Sequence, residues 1–149
     1  MTVHIDLRTT ATPEQVRRAF TDFSDRRPRT WHRTLDPATY ELRSLGPDWA
    51  EARESSRRSP VWVVCRYDWS DPDVVRWVFT ETSYGGGGDG WVRATPDPGG
   101  GSRLRAEWTS TDVRRQRLVL LAVHRTPLHR MIQRQWAPTL DEYAAADQG

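Results

Sequence analysis

Residues 61–69, Val-Trp-Val-Val-Cys-Arg-Tyr-Asp-Trp, set a guanidinium and a carboxylate at alternate positions of a run rich in tryptophan and valine. Alternate positions of a strand share a face, so Trp62, Val64, Arg66 and Asp68 point the same way. An arginine among such neighbours has two uses. It can be neutralised internally, by Asp68 or Glu81 or by stacking on Trp77, because an isolated buried charge is prohibitively costly. Alternatively its planar fork can grip a carboxylate, phenolate or enolate oxygen of a bound molecule.

Other chemistry is sparse. Cys65 has no histidine positioned to activate it and reads as a small buried residue. No Gly-x-Ser-x-Gly elbow is present. His124 and His129 are five apart across Pro127, which breaks the spacing of a helical metal pair, and His4 lies on the polar side of the first strand. The glycine run at 85–88 and 90 lacks a following helix and a Gly-Lys-Ser/Thr, so it reads as a flexible turn. Catalytic residues remain unassigned, and neither a metal nor another cofactor is expected.

The elements that must position Arg66 are legible from periodicity. Val3, Ile5 and Leu7 alternate with polar residues as a half-buried strand. Thr12, Pro13 and Gln15 then open a helix with an N-cap, a first-turn proline and a capping box. Val16, Ala19, Phe20 and Phe23 form its apolar face. Residues 24–39 are arginine- and proline-rich around Trp31 and read as a loop with a short helical turn. Three hairpins follow, pairing 40–45 with 49–54, 61–69 with 74–82, and 91–95 with 103–110. Thr126-Pro127 starts a long C-terminal helix, with Leu128, Met131, Ile132, Gln135, Leu140 and Tyr143 on one face and a kink at Pro138. Residues 113–123 form a further helical turn or a lid.

Six of the eight tryptophans (Trp49, Trp62, Trp69, Trp77, Trp91 and Trp108) fall on these strands, while Trp31 and Trp136 flank them. Packing alone is served by Val, Ile and Leu, so this much indole points to a sheet curved around an aromatic-walled cavity. The expected architecture is α+β: a curved antiparallel sheet of six to seven strands wrapped around a long C-terminal helix, with a short N-terminal helical segment. Residues 1–149 fit one domain.

A four-residue loop in the second hairpin sets Trp69 opposite Val74. Arg66 then faces Trp77, Val64 faces Phe79, Trp62 faces Glu81 and Asp68 faces Val75, all on the cavity side. Leu104, Ala106, Trp108 and Ser110 point inward from the last strand. In the preceding strand either Trp91 and Arg93 or Val92 and Ala94 do so. With Trp136 and Leu140 from the C-terminal helix, the candidate ligand-binding set is Trp62, Val64, Arg66, Trp77, Phe79, Trp91, Arg93, Leu104, Trp108, Trp136 and Leu140. Val63, Cys65, Tyr67, Trp69 and Val78 fall on the opposite face, where they would form an apolar patch suited to a homodimer or another partner.

Composition narrows the function classes. All 22 basic residues are arginine and the net charge is only +2. Local basic clusters occur at 26–33 and 114–117 without a nucleic-acid-binding motif, so no nucleic-acid partner is expected. One cysteine excludes an internal disulfide and fits a reducing cytosol. No signal peptide is visible, and the longest apolar run, 118–123, is too short to span a bilayer. A cytoplasmic protein without membrane insertion is expected.

The opening Ile-Asp-Leu-Arg-Thr-Thr-Ala-Thr-Pro-Glu-Gln-Val-Arg-Arg-Ala-Phe-Thr-Asp-Phe, Trp31 after it, the Gly90–Trp108 hairpin and the terminal helix resemble the SRPBCC superfamily of START/Bet v 1-like helix-grip proteins. Within it the chain is most similar to the polyketide cyclase/dehydrase group. The resemblance implies a cavity between sheet and C-terminal helix that holds a small hydrophobic or aromatic, lipid- or polyketide-like molecule, and places a strand tryptophan such as Trp62 in that cavity. It leaves catalysis open, because the fold hosts enzymes and carriers alike. Three readings follow: binding of such a ligand, a polyketide aromatase/cyclase, and a non-catalytic interaction module. The cyclase would need a general base. The cyclases of the group carry a basic residue near the position of Asp68, and this chain leaves only Asp68 or Glu81 for that role.

Overall fold

Alternation, capping and hairpin spacing define most of the elements. The computed structural model describes residues 2–125 and 128–147, and within them every side chain except those at 123–125, 128, 129, 132 and 133. Strand β1 (Thr2–Thr9) leads into helix α1 (Pro13–Thr21) and the short α2 (Arg27–Thr30). Six strands follow: β2 (Glu41–Leu45), β3 (Trp49–Ser55), β4 (Trp62–Asp68), β5 (Val75–Thr82), β6 (Gly87–Pro96) and β7 (Ser102–Thr111). Helices α3 (Arg117–Arg125) and α4 (Leu128–Asp147) close the chain. All seven strands form one antiparallel sheet in the order β1-β7-β6-β5-β4-β3-β2. The expected α+β helix-grip arrangement is the one observed.

The capping box of α1 is complete: Gln15 N donates to the Thr12 hydroxyl at 3.2 Å, and Thr12 N donates to Gln15 Oε1 at 2.9 Å. Its inward face, Val16, Ala19 and Phe20, is buried against the sheet. From the strands the core takes Val3, Ile5 and Leu7, then Leu104 and Ala106, Val92, Val75 and Trp77, and Ala50 and Ala52. Helix α4 adds Leu140 and Ala144 four residues apart, and its last turns lie on β1. Full burial of a side chain such as Leu140 contributes roughly 1.5–3 kcal/mol.

Of the two alternatives for residues 113–123 the helical one is observed, since α3 occupies 117–125 and contacts α4. Two expectations need correction. On α4, Met131 and Gln135 are exposed, and the packed face instead runs through Trp136, Thr139, Leu140, Tyr143 and Ala144. The expected start at Thr126-Pro127, the Leu128 and Ile132 side chains and the pair His124 and His129 lie outside the described residues. Secondly, Gly87, Gly88 and Gly90 are strand rather than turn. The Trp77 indole lies across Gly90, where a Cβ would come within 2.5 Å of the ring. The Phe79 ring crosses Gly88 in the same way. Glycine is therefore the residue that lets two inward aromatics lie flat on the neighbouring strand.

Gly90→Ala is expected to lose about 1–3 kcal/mol of stability, because the rigid indole has to move. Gly99→Ala, with nothing within 4 Å of the added carbon, serves as its near-neutral control, and urea denaturation of the two variants separates them.

Candidate functional site

The faces of β4 and β5 are decided by a turn longer than four residues. Asp68 Oδ1 accepts from Ser70 N at 2.8 Å and from the Ser70 hydroxyl at 2.7 Å, and Asp71 Oδ1 accepts from Asp73 N at 2.9 Å. Trp69 N turns away from β5 and donates to Asp48 O at 2.9 Å. The Arg17 guanidinium holds the turn from the helix side by donating to the carbonyls of Trp69, Asp71 and Pro72. Pairing therefore sets Asp68 opposite Arg76, Tyr67 opposite Trp77 and Arg66 opposite Val78. That is one residue from the expected register, and a one-residue slip exchanges the two faces of a strand. A bulge at Thr80 then shifts the register again, so that Val64 faces Glu81.

Arg66 is consequently on the outer face of the sheet. It is exposed, and its guanidinium stacks 4.3 Å above the Trp49 ring. Trp62 is half-buried on the same face beneath the guanidinium of Arg53 at 4.4 Å. Val64 is fully buried there, opposite Arg53. Trp91 and Arg93 also point outward, because Val92 and Ala94 align with the inward Ala106 and Leu104. The other six expected residues do come together on the helix side: Trp77, Phe79, Leu104 and Trp108 from the sheet, Trp136 and Leu140 from α4. The apolar patch expected on the opposite face is likewise corrected. Cys65 and Tyr67 are core, Val63 and Trp69 pack against it, and only Val78, 53% exposed, faces solvent.

A buried charge does lie inside the sheet, contributed by residues that periodicity did not single out. Arg27, at the start of α2, is 4% exposed. It donates from Nε to Glu54 Oε2 at 3.0 Å and from Nη1 to the Phe20 carbonyl at 3.0 Å. Its plane lies 4.0 Å from the centre of the Phe23 ring. The Tyr67 hydroxyl donates to Glu54 Oε1. Burial opposes the Arg27 charge, but the Glu54 carboxylate outweighs it and the guanidinium pKa is raised. Burial also pushes the Tyr67 phenol and the Cys65 thiol well up, so this thiol is not a nucleophile. Glu54 was readable in part: it continues the Ala50, Ala52 phase on β3, so it had to meet a cation. Which of 22 arginines answers it is a long-range fact.

Two aromatic groups flank this centre. Trp69, Phe23, Tyr67 and Trp77 form a chain with ring centres 4.9–5.9 Å apart. On the other side Trp136 contacts Phe20, Trp31 and Trp108 at 5.3, 5.9 and 5.8 Å. Trp31 donates its indole N–H to the Ala19 carbonyl at 3.1 Å. A groove of about 490 Å³ opens between α1 and strands β5 and β6, lined by Val16, Phe20, Val75, Val92 and Ala94. Glu14, Arg17, Asp73 and Arg93 border its mouth. Phe20 is shared by the groove and the Trp136 cluster. Among the described residues no cluster of His, Cys, Asp or Glu could hold a metal ion, and no helix is long and apolar enough to cross a membrane.

The same fold recurs in solved structures. The protein TTHA0849 from Thermus thermophilus is similar over 100% of both chains, with a TM-score of 0.74 at 17% identity. Norcoclaurine synthase from Thalictrum flavum, in complex with dopamine and hydroxybenzaldehyde, is similar over 95% of this chain and 84% of its own, with a TM-score of 0.64 at 10% identity. Ara h 8.0201 is similar over 98% of both chains, with a TM-score of 0.61 at 10% identity. The chain thus has the Bet v 1-like helix-grip fold. No family model and no curated protein matches it by sequence.

Removing one member of the buried pair leaves the other uncompensated. Glu54→Ala is expected to cost about 3–5 kcal/mol, while Arg27→Met with Glu54→Leu stays within about 2 kcal/mol of wild type by urea denaturation. A second prediction concerns Tyr40, whose hydroxyl donates to the Phe23 carbonyl at 3.2 Å and whose pKa burial pushes up to about 12. The folded state keeps this phenol neutral while the unfolded chain ionises near its ordinary value. Its contribution to stability is therefore full below about pH 10 and lost as pH rises towards 12. Urea midpoints should fall across that window in wild type and fall less in Tyr40→Phe.

Proposed function

We propose that the protein binds a small, largely apolar or aromatic molecule in the groove between α1 and β5–β6. The observation that carries this reading is the groove itself. At about 490 Å³ it is within the size range of small-molecule clefts, and like them it is apolar within and polar at its rim. Val16, Phe20, Val75, Val92 and Ala94 line it, while Trp77, Phe79, Leu104, Trp108, Trp136 and Leu140 belong to the core and not to its lining. The fold lends support, since norcoclaurine synthase holds dopamine and hydroxybenzaldehyde on a similar frame. Anchoring does not fall to Arg66, which is outside. Glu14, Arg17, Asp73 and Arg93 set both signs of charge at the mouth, so no single anchoring charge is assigned.

No observation favours ring closure as a second reading. Asp68 and Glu81, the carboxylates considered for the base, are exposed on the outer face, and Glu54 is held by Arg27 and Tyr67.

Native mass spectrometry of the purified protein and tryptophan-fluorescence titration with naphthol and anilinonaphthalene sulfonate test the reading. Saturable quenching is expected. It should weaken at least about tenfold in Ala94→Trp, which fills the groove, and remain unchanged in Arg66→Ala. Absence of both a bound mass and any quenching would overturn the proposal. So would quenching that Ala94→Trp leaves intact.

A further inference from the structure

Charge is unevenly distributed along this chain. Between Asp112 and Asp141 there are six arginines and no acidic residue, whereas the rest of the chain sets 16 arginines against 20 carboxylates. The basic stretch coincides with α3, the first half of α4 and the segment leading into them. That segment is fixed in place. Arg114 N and Arg115 N both donate to the Tyr84 carbonyl, at 3.0 and 2.9 Å. The Gln116 side chain donates to the Pro60 carbonyl at 3.0 Å and accepts from the Ser83 hydroxyl at 2.6 Å.

Apolar residues are exposed among these cations. Leu118 is 82% and Met131 53% exposed, the former the most exposed of the large hydrophobics among the described residues. Arg114, Arg115 and Arg117 precede Leu118 and are exposed. Arg130, Met131 and Arg134 are exposed together, at the i, i+3 and i, i+4 spacings that share a helix face. Leu120, by contrast, is buried.

From this juxtaposition we infer that the α3–α4 surface docks on an anionic lipid bilayer. The guanidiniums pair with headgroup phosphates and carboxylates while Leu118 and Met131 enter the headgroup–acyl boundary. Charge complementarity selects this partner over neutral lipid, and the exposed leucine and methionine select a bilayer over a purely polar polyanion. Arginine suits the role because its apolar stem reaches along the interface while its fork stays with the phosphates. The outer face of the sheet is a poor alternative for an anionic partner, because it interleaves both signs. There Arg43 pairs with Glu81, and Arg103 and Arg105 with Asp6. Docking does not depend on the groove being a ligand site. It would, however, bring a protein that collects apolar molecules to the phase in which they are concentrated.

Flotation of the intact protein with vesicles of phosphatidylcholine, with and without phosphatidylserine, tests the inference, using far-UV circular dichroism to verify folding of each variant. Binding is expected only with phosphatidylserine and is expected to fall as salt rises. Arg130→Gln with Arg134→Gln should weaken it on the order of 30-fold. Leu118→Ser should weaken vesicle binding about tenfold while leaving retention on heparin unchanged. Failure to float with phosphatidylserine vesicles overturns the inference. So does binding that the double arginine variant retains in full. Vesicle binding that Leu118→Ser leaves intact overturns it as well, because charge alone would then account for the binding and nothing would select a bilayer over another polyanion.

Discussion

A guanidinium sits inside the concavity of the sheet, and the N-terminal third of the chain is arranged to accommodate it. Helix α2 is only four residues long, too short to persist on intrinsic helix propensity. It is held where it is because Arg27 reaches across to Glu54 on β3, to the carbonyl that ends α1, and over the ring of Phe23. Tyr67 on β4 completes the set through Glu54. One charge thereby ties α1, α2, β3 and β4 into a single arrangement. Such a pair adds little net stability over an apolar equivalent, because desolvation cancels most of the attraction. Its contribution is geometric: only one placement of the loop after α1 satisfies the carboxylate and the cation together. The groove depends on that placement, since Phe20 is both its wall and a ligand of Arg27 through its carbonyl.

The tryptophans divide into two populations with different physical roles. Inside, Trp31, Trp77, Trp108 and Trp136 meet other rings edge-on or tilted and build walls. Outside, Trp49 and Trp62 lie half-buried under Arg66 and Arg53. On that face Arg66 is exposed above Trp49, whereas Arg53 is itself half-buried over Trp62. The abundance of tryptophan in this chain therefore reflects two surfaces, one facing the helices and one facing outward.

Much of the architecture was legible without coordinates, because it rests on local physics. The strand at 2–9, the capped helix after Thr12, the hairpin positions and the inward set Leu104, Ala106 and Trp108 all follow from period and turn residues within a few positions of one another. The orientation of β4 was not, because it depends on the bond from Trp69 N to Asp48 O, on the grip of Arg17 upon the turn, and on the bulge at Thr80. For the same reason Trp62, Val64 and Arg66 lie on the far side. The phase of β6 was open in the sequence, and its pairing with β7 turns Trp91 and Arg93 outward. Trp77, Phe79, Leu104, Trp108, Trp136 and Leu140 gather on the helix side. Arg27 was hidden within a run of arginines that reads as solvated. Nothing near it in sequence marks it as the one that turns inward.

The turn between β4 and β5 behaves like a reading frame written in space. Between Asp68 and the bulge at Thr80 the two strands are read in one phase, with Cys65 and Tyr67 inside and Arg66 outside. Beyond Thr80 the phase advances by one. Loss of a single residue from that turn would shift the frame of one strand against the other, and were β4 the strand to turn over, its thiol and phenol would give way to a guanidinium and a carboxylate without altering any residue of either strand. Turn length is therefore inherited information about the chemistry of the interior. Among proteins of this fold, chains with identical strands and a turn one residue shorter or longer should be expected to enclose different side chains.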